Sequence, residues 1–411
     1  MSWQLLRTLE EEYGPAFYIL DVKAFQDNYH TFVEAFRRIY PRTSLAYSYK
    51  TNYTPKLCQC VNAMGGYAEV VSSMEYDLAL RLGVPPQRII FNGPYKRRVD
   101  IERALLAGSI VNLDSSYEVA LVEAVAQRSP DHTMTVGLRC NFDIGTENIS
   151  RFGFDVEGEE FRAAFTRLAR LQNCRVGGLH CHFSTGYRSV ESYALRTRKM
   201  LELVTFYFSD NHPDFINLGG GFFSKMSSEL QKQFTFPIPN YQEYAEAIAP
   251  QIAHVFPHDS GPELILEPGS AIVADVMQFA TKIVDIKSVR SRILALASGS
   301  VHNIKPTLHQ KNLPMRVVTH GVPDTKRSNG TVDIIGYTCM EHDYLYNGYE
   351  GNIAVDDYVI FDNVGAYTIV MKPPFILPSP PIIAYNSATE RFEIIKRREE
   401  IDDIFSTYVF S

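Results

Sequence analysis

A single tryptophan, six cysteines without a pairing pattern and no excess of basic residues define what this chain does without. The cysteines stand at 58, 60, 140, 174, 181 and 339, scattered and lacking the paired spacing of a zinc site or a secreted disulfide framework. Cys58 and Cys60 fall two apart in an expected helix, so their side chains do not face each other. Lys and Arg number 40 against 47 Asp and Glu, and a net charge of -7 argues against a nucleic-acid-binding surface. No window reaches the unbroken apolar length of a membrane span. The opening MSWQLLRTLEEEYG has leucines at helical spacing followed by three glutamates, not the charged start and apolar run of a leader. The expectation is a soluble cytoplasmic protein with reduced thiols, no metal, and neither membrane nor nucleic acid as partner.

What is present is ordinary globular material: 45% hydrophobic and 21% charged residues over 411 positions, enough for two domains or one large barrel with an appendage. Between residues 44 and 269, short apolar runs end in a polar residue or glycine, and most are followed by a helical segment. The runs are SLAYSY (44–49), YAEVV (67–71), IIFNG (89–93), IVNLD (110–114), MTVGLRC (134–140), GGLHCHF (177–183), DFINLGGG (214–221) and ELILEPG (263–269). Segments such as SSYEVALVEAVAQ and EEFRAAFTRLARL between them carry apolar residues three and four apart. Alternating strands and helices imply parallel strands with right-handed crossovers, and eight such units predict a (β/α)8 barrel of the TIM type, an α/β fold. A doubly wound open sheet is the competing architecture. Its first turn would carry a Gly-rich dinucleotide signature that this chain's first strand lacks.

After residue 270 the pattern becomes β-rich with little helical period, as in TVDIIGYTC and FEIIKR, and predicts a mainly antiparallel second domain. The early run AFYILD (16–21) is expected to join that sheet. The domains are therefore placed at 25–269 for the barrel and at 1–24 with 270–411 for the β domain. Residues 223–240 read as a long loop after the seventh strand, a candidate lid without an assigned role.

Barrel enzymes build their chemistry at the C-terminal ends of the strands, and there this sequence keeps its unusual residues. Lys50 ends the first strand, Arg139 the fifth, His180 and His182 the sixth, Gly219-Gly220-Gly221 the seventh and Glu267 the eighth. Most strand-end lysines are simply solvated, and most glycine triplets are only turns. Together at one barrel mouth they read differently. Three glycines after strand seven leave backbone N–H groups open to a phosphate. A lysine amine, an imidazole and a carboxylate beside such an anchor suit pyridoxal phosphate: the amine binds the aldehyde, the imidazole stacks on the ring, and the carboxylate keeps the ring nitrogen protonated.

The ordered motifs YSYKTN, YAEVVSSMEY, SRFG, GLHCHFSTG, NLGGGF, LEPGS, GYTCMEHD and VGAYT resemble the pyridoxal-phosphate decarboxylases of the alanine-racemase fold, the family of diaminopimelate and ornithine decarboxylases, over nearly the whole chain. The resemblance implies Lys50 as the cofactor lysine, His182 as the stacked imidazole and Glu267 as the partner of the ring nitrogen. It implies Gly220, Gly221, Thr185 and Tyr367 around the phosphate, with Thr185 where the family usually has serine, and Arg139 orienting the ring's hydroxyl side. Cys339 would come from the partner subunit and reprotonate the carbon that lost carbon dioxide, with Asp343 at the same shared site. A homodimer is implied.

Three departures fall where substrate or phosphate is expected. Ser270 stands where the family motif EPGR has arginine. The motif RPxxY becomes Lys305-Pro306-Thr307-Leu308-His309, which keeps a charge without arginine's bidentate fork. Met340 replaces the acidic residue that reads a distal ammonium in decarboxylases of diamino acids. Glu341 follows it and would point to the other face of a strand. The expected substrate is thus an amino acid whose distal end is not a simple amine, a carboxylate, amide or acyl group suited to Lys305 and His309. Siderophore-pathway relatives acting on citryl-diaminopropionate have this character. Diaminopimelate, ornithine or lysine decarboxylation stands as the alternative, as do a racemase and a catalytically silent regulatory relative.

Overall fold

The computed structural model describes residues 1–410 except 146–148, 210, 258–259, 322–327, 329 and 387–388. The chain divides into two compact units. One holds Asp27–Ser224 and Phe236–Ile272, the other Met1–Gln26, Lys225–Thr235 and Val273–Ser411.

The first unit is a closed barrel of eight parallel strands. In chain order they are Thr43–Ser48, Tyr67–Val70, Ile89–Phe91, Ile110–Leu113, Met134–Asn141, Cys174–His180, Phe215–Asn217 and Glu263–Leu266. Each pairs with its sequence neighbour, and strand eight returns to strand one through Leu264 opposite Thr43. A two-residue strand, Phe154–Asp155, adds to the edge of strand five. Alternate residues along a strand share a face, so the barrel interior fills in layers. Ala46, Ile90, Phe215 and Ile265 pack as one such apolar cluster, with Tyr67 and Ile110 against it. Phe215 fits because strands five and six carry glycine beside it. A Cβ on Gly178 would lie 2.6 Å from its ring, and one on Gly137 3.1 Å.

The crossover helices start where the sequence supplies a cap. Ser72 accepts a hydrogen bond from the Glu75 amide at the head of Ser73–Arg81, and Asn240 forms a capping box with Glu243 ahead of Tyr241–Val255. No helix among the described residues is long and apolar enough to cross a membrane.

The second unit is a nine-stranded, mainly antiparallel sheet. Ala16–Asp21 lies inside it, antiparallel to Met277–Val289 and parallel to Ile382–Asn386. Leu6 and Leu9 of the helix Trp3–Tyr13 pack on Phe17, Ile19, Ala280, Tyr358, Ile360 and Ile383. The residues 270–276 form the short helix Ser270–Val273 and a single 3-10 turn ahead of the strand Met277–Val289. Within 223–240 the helix Ser228–Gln231 breaks the expected loop, and Lys225–Thr235 groups with the β unit.

Candidate active site

Two residues beyond the apolar cluster, each strand's inward face turns polar. Ser48, Glu69, Asn92, Asn112, His180, Asn217 and Glu267 form this next layer, and hydrogen bonds join all but His180 into one network. Asn92 Nδ2 donates both to Glu69 Oε1 at 2.9 Å and to Glu267 Oε1 at 2.8 Å. Asn217 Nδ2 donates to the same Glu267 oxygen at 2.7 Å, and Asn112 holds Asn92 from behind at 2.8 Å. The other Glu267 oxygen faces His180 Nε2 at 3.4 Å and His182 Nδ1 at 3.9 Å. Burial alone would protonate Glu267, but His180 first and Lys50 next outweigh it and hold the carboxyl well below the usual carboxylate range.

Lys50 follows strand one in a single 3-10 turn, Tyr49–Thr51, and its Nζ donates to Glu69 Oε2 at 2.6 Å. Ser48 donates to the same oxygen. The amine and Glu267 therefore sit at two ends of one chain of contacts, Lys50–Glu69–Asn92–Glu267. Glu75, two turns of sequence further on, is raised to about 7 chiefly by burial.

His182 lies just past strand six. Its Nδ1 accepts from the Gly220 amide at 2.9 Å, so that nitrogen carries no proton. Burial first, and the Lys50 charge second, hold the imidazole neutral, well below its ordinary range. Arg139 fixes the backbone beneath it. The guanidinium bonds Asp114 Oδ1 at 3.0 Å and the His182 carbonyl at 3.1 Å, and it stacks over Phe152 at 4.6 Å.

The glycine turn is tight. Gly219 and Gly221 take φ of +69° and +96°, values that disfavour a side chain. A Cβ on Gly220 would lie 2.1 Å from the Glu267 carbonyl oxygen. The Gly220 amide is committed to His182, and the open amide of the turn among the described residues is that of Gly221. Thr185 Oγ1, in the loop after strand six, accepts from the Arg188 amide at 3.1 Å.

The other expected residues lie in the β unit. Lys305 is buried, its ammonium lowered to about 8 by burial, and no described carboxylate pairs with it. His309 and Cys339 are exposed, and Tyr367 takes φ of +59° at 38% exposure. Asp343, the last of the expected residues, has its carboxylate engaged within the β unit. It is buried, and its oxygens accept from the amides of Val301 at 2.6 Å and Thr338 at 2.9 Å and from the Thr338 hydroxyl at 2.6 Å. It anchors the loop that carries Cys339 and Met340. That loop connects Thr331–Ile335 to Tyr344–Glu350, so the strand alternation expected for Met340 and Glu341 does not apply. Met340 Sδ lies 3.3 Å from His302 Nε2, and Glu341 is exposed.

The sequence reading passed over Glu69, Asn92, Asn217, Asp114 and His302. For Glu69, Asn92 and Asn217 the signal was in the quoted runs: a polar residue inside an apolar strand, two places beyond an inward apolar one. The set fits pyridoxal phosphate on its own chemistry. A lysine and a buried, ionised carboxylate are linked through Asn92. A neutral imidazole stands 3.9 Å from the carboxylate, and a glycine cradle is closed to any Cβ.

Comparison with known proteins agrees. Residues 26–274 match the family model for the pyridoxal binding domain of pyridoxal-dependent decarboxylases. Diaminopimelate decarboxylase of Methanocaldococcus jannaschii is 25% identical over 97% of this chain and 92% of its own length. That of Bacillus subtilis is 26% identical over 96% and 92%. The M. jannaschii diaminopimelate decarboxylase crystal structure with L-lysine superposes with a TM-score of 0.85 at 23% identity, covering 98% of this chain and 94% of that one. The lysine/ornithine decarboxylase of Vibrio vulnificus with putrescine reaches 0.75 at 18% identity, covering 93% and 98%. With a TIM-type barrel, a mainly antiparallel second sheet and a family match over more than half its length, the chain belongs to the pyridoxal-dependent decarboxylases, carboxy-lyases that use pyridoxal phosphate.

Proposed function

We propose that the chain removes the α-carboxylate of an amino acid at the barrel mouth where Lys50, His182 and Glu267 meet. The supporting observation is the Lys50–Glu69–Asn92–Glu267 relay, which ties an amine to a buried carboxylate. When bound, pyridoxal phosphate supplies the electron sink for the pair left as the Cα–carboxylate bond breaks. The chain's own residues do the rest. Lys50 Nζ holds the cofactor, with Glu69 as the base that accepts its ammonium proton. Glu267, kept ionised, holds a proton on the ring nitrogen. Neutral His182 covers the ring face, and the Gly221 amide, Thr185 and Tyr367 receive the phosphate. After carbon dioxide leaves, the partner subunit's Cys339 gives its thiol proton to Cα and regains one from water. The protein acts as a homodimer in this reading.

For the substrate, relatives matched over nearly their whole length are named for diaminopimelate, and that amino acid is the leading reading. Its distal end carries a carboxylate as well as an amine, and Lys305 is a buried cation with no carboxylate paired to it among the described residues. A second reading is a substrate with a distal carboxylate or amide and no amine, such as citryl-diaminopropionate. Met340 favours it, because a thioether cannot pair an ammonium. One competition assay separates them. Purified holoenzyme meets diaminopimelate, lysine, ornithine and citryl-diaminopropionate together, and the decarboxylated products are identified by mass. Product from diaminopimelate is expected; product only from the citryl compound overturns the leading reading in favour of the second.

A further inference from the structure

The helix Val190–Tyr207 turns Arg196 inward, and the side chain is wholly buried. Its guanidinium carbon lies 4.4 Å from the Tyr193 ring centroid and 5.4 Å from that of Phe183. None of the three guanidinium nitrogens has a hydrogen-bond partner among the described residues. A guanidinium does not give up its proton, so this is a buried charge solvated only by aromatic faces. Such a charge is costly unless an anion answers it.

The two rings it touches bracket the glycine turn. The Tyr193 hydroxyl donates to the Gly220 carbonyl at 2.8 Å. A Cβ on Gly221 would stand 3.1 Å from that hydroxyl and 3.6 Å from the Phe183 carbonyl oxygen. Pulling the Gly220 carbonyl toward Tyr193 turns the following amide, that of Gly221, the other way, and Arg196 lies behind both. The titratable groups around it are Cys181 just past strand six, Tyr193 on the same helix and Tyr244 from Tyr241–Val255. Burial keeps all three neutral, with Cys181 and Tyr193 each pushed up to about 12. Arg188 is the neighbouring cation, its Nη1 donating to the Phe222 carbonyl at 3.4 Å with the guanidinium over Phe223. Ser270, after strand eight, brings no charge.

We propose that Arg196 is the buried counter-charge of the cofactor's phosphate, a positioning residue that acts through Tyr193, Phe183 and the glycine turn to hold the phosphate as a dianion. This rests on the placement of the phosphate at Gly221. A phosphate monoester otherwise takes up its second proton near pH 6, and a cation behind the turn in a poorly screened interior opposes that.

The test reads the phosphate directly. Phosphorus NMR of the wild-type holoenzyme is expected to show one resonance that stays fixed between about pH 5.5 and 8.5, whereas in Arg196→Met it titrates with a midpoint near ~6. Arg196→Lys, which keeps the charge, is expected to restore the fixed resonance. By equilibrium dialysis, Arg196→Met should weaken pyridoxal phosphate by about tenfold or more while leaving pyridoxal, which lacks the phosphate, unchanged. A merely structural role would weaken both alike, and that result overturns the proposal. So does a wild-type phosphate that titrates near pH 6, a result that needs no variant to fold. Gly221→Val distinguishes the two layers of the argument. If it weakens pyridoxal phosphate selectively and Arg196→Met does not, Arg196 has no such role; if neither does, the phosphate is not at the glycine turn and both fall.

Discussion

At the scale of one residue, Lys305 sets burial against charge. It is 1% exposed, and the cost of keeping an ammonium there lowers its titration to about 8. The sign follows from the direction of the shift. Below pH 8 the side chain is charged in the folded and unfolded protein alike, and the full penalty is present. Between pH 8 and the unfolded value the folded protein sheds the proton first, so the penalty fades and stability rises with pH. The shift corresponds to about 3 kcal/mol at most. Lys305→Met is therefore expected to raise the urea midpoint at neutral pH while weakening any substrate that bears a distal carboxylate. In kcat/KM profiles with such a substrate, the wild type should lose activity as pH passes 8. Lys305→Arg should keep its activity to higher pH, because a guanidinium stays charged there. A wild-type profile that is flat through pH 8 would show that the ammonium does not read the substrate.

The elements that matter most are the two turns at the ends of strands seven and eight, which lock together through their backbones. Glu267 N donates to the Gly219 carbonyl at 2.8 Å, and the space above Gly220 is filled by the Glu267 carbonyl. Gly220→Ala cannot be absorbed by a flexible side chain; one turn must move off the other. The expected loss is about 1–3 kcal/mol of stability, with cofactor affinity falling alongside because His182 and Glu267 are displaced together. Gly186→Ala, where a Cβ meets nothing within 4 Å, is the matched control and should change neither. Urea melts and cofactor titration of both variants check this. Equal effects in the two would mean that the turn tolerates the clash. These same turns show why much of the site was legible in sequence. Period-two strands ending in glycine or a lone polar residue announce a barrel and its mouth. What stayed hidden was which amide was free and which acid was structural. Gly220 and Gly221 are alike as letters, and only the geometry shows His182 taking one amide. Asp343, four residues after Cys339, gives no sign in sequence of the three donors that its carboxylate accepts from.

At the scale of the whole molecule, the proposed division of labour assigns Lys50 and Cys339 of one copy to different active sites. Cys339 is exposed on a loop of the β unit. A closed two-fold pair built this way has two identical shared sites. Lys50→Ala and Cys339→Ala should each be nearly inactive alone. Mixed in equal amounts and allowed to exchange subunits, half of the pairs are hybrids. Each hybrid carries one site with both defects and one site with neither, so activity should recover to about a quarter of wild type. The readout is carbon dioxide release after co-refolding, with size-exclusion and light scattering on the same samples to establish the dimer. A dimer without recovery would mean that Lys50 and Cys339 of the same copy work together. A monomer with full wild-type activity would remove the shared site altogether, and Cys339 would have to reach Cα within one chain.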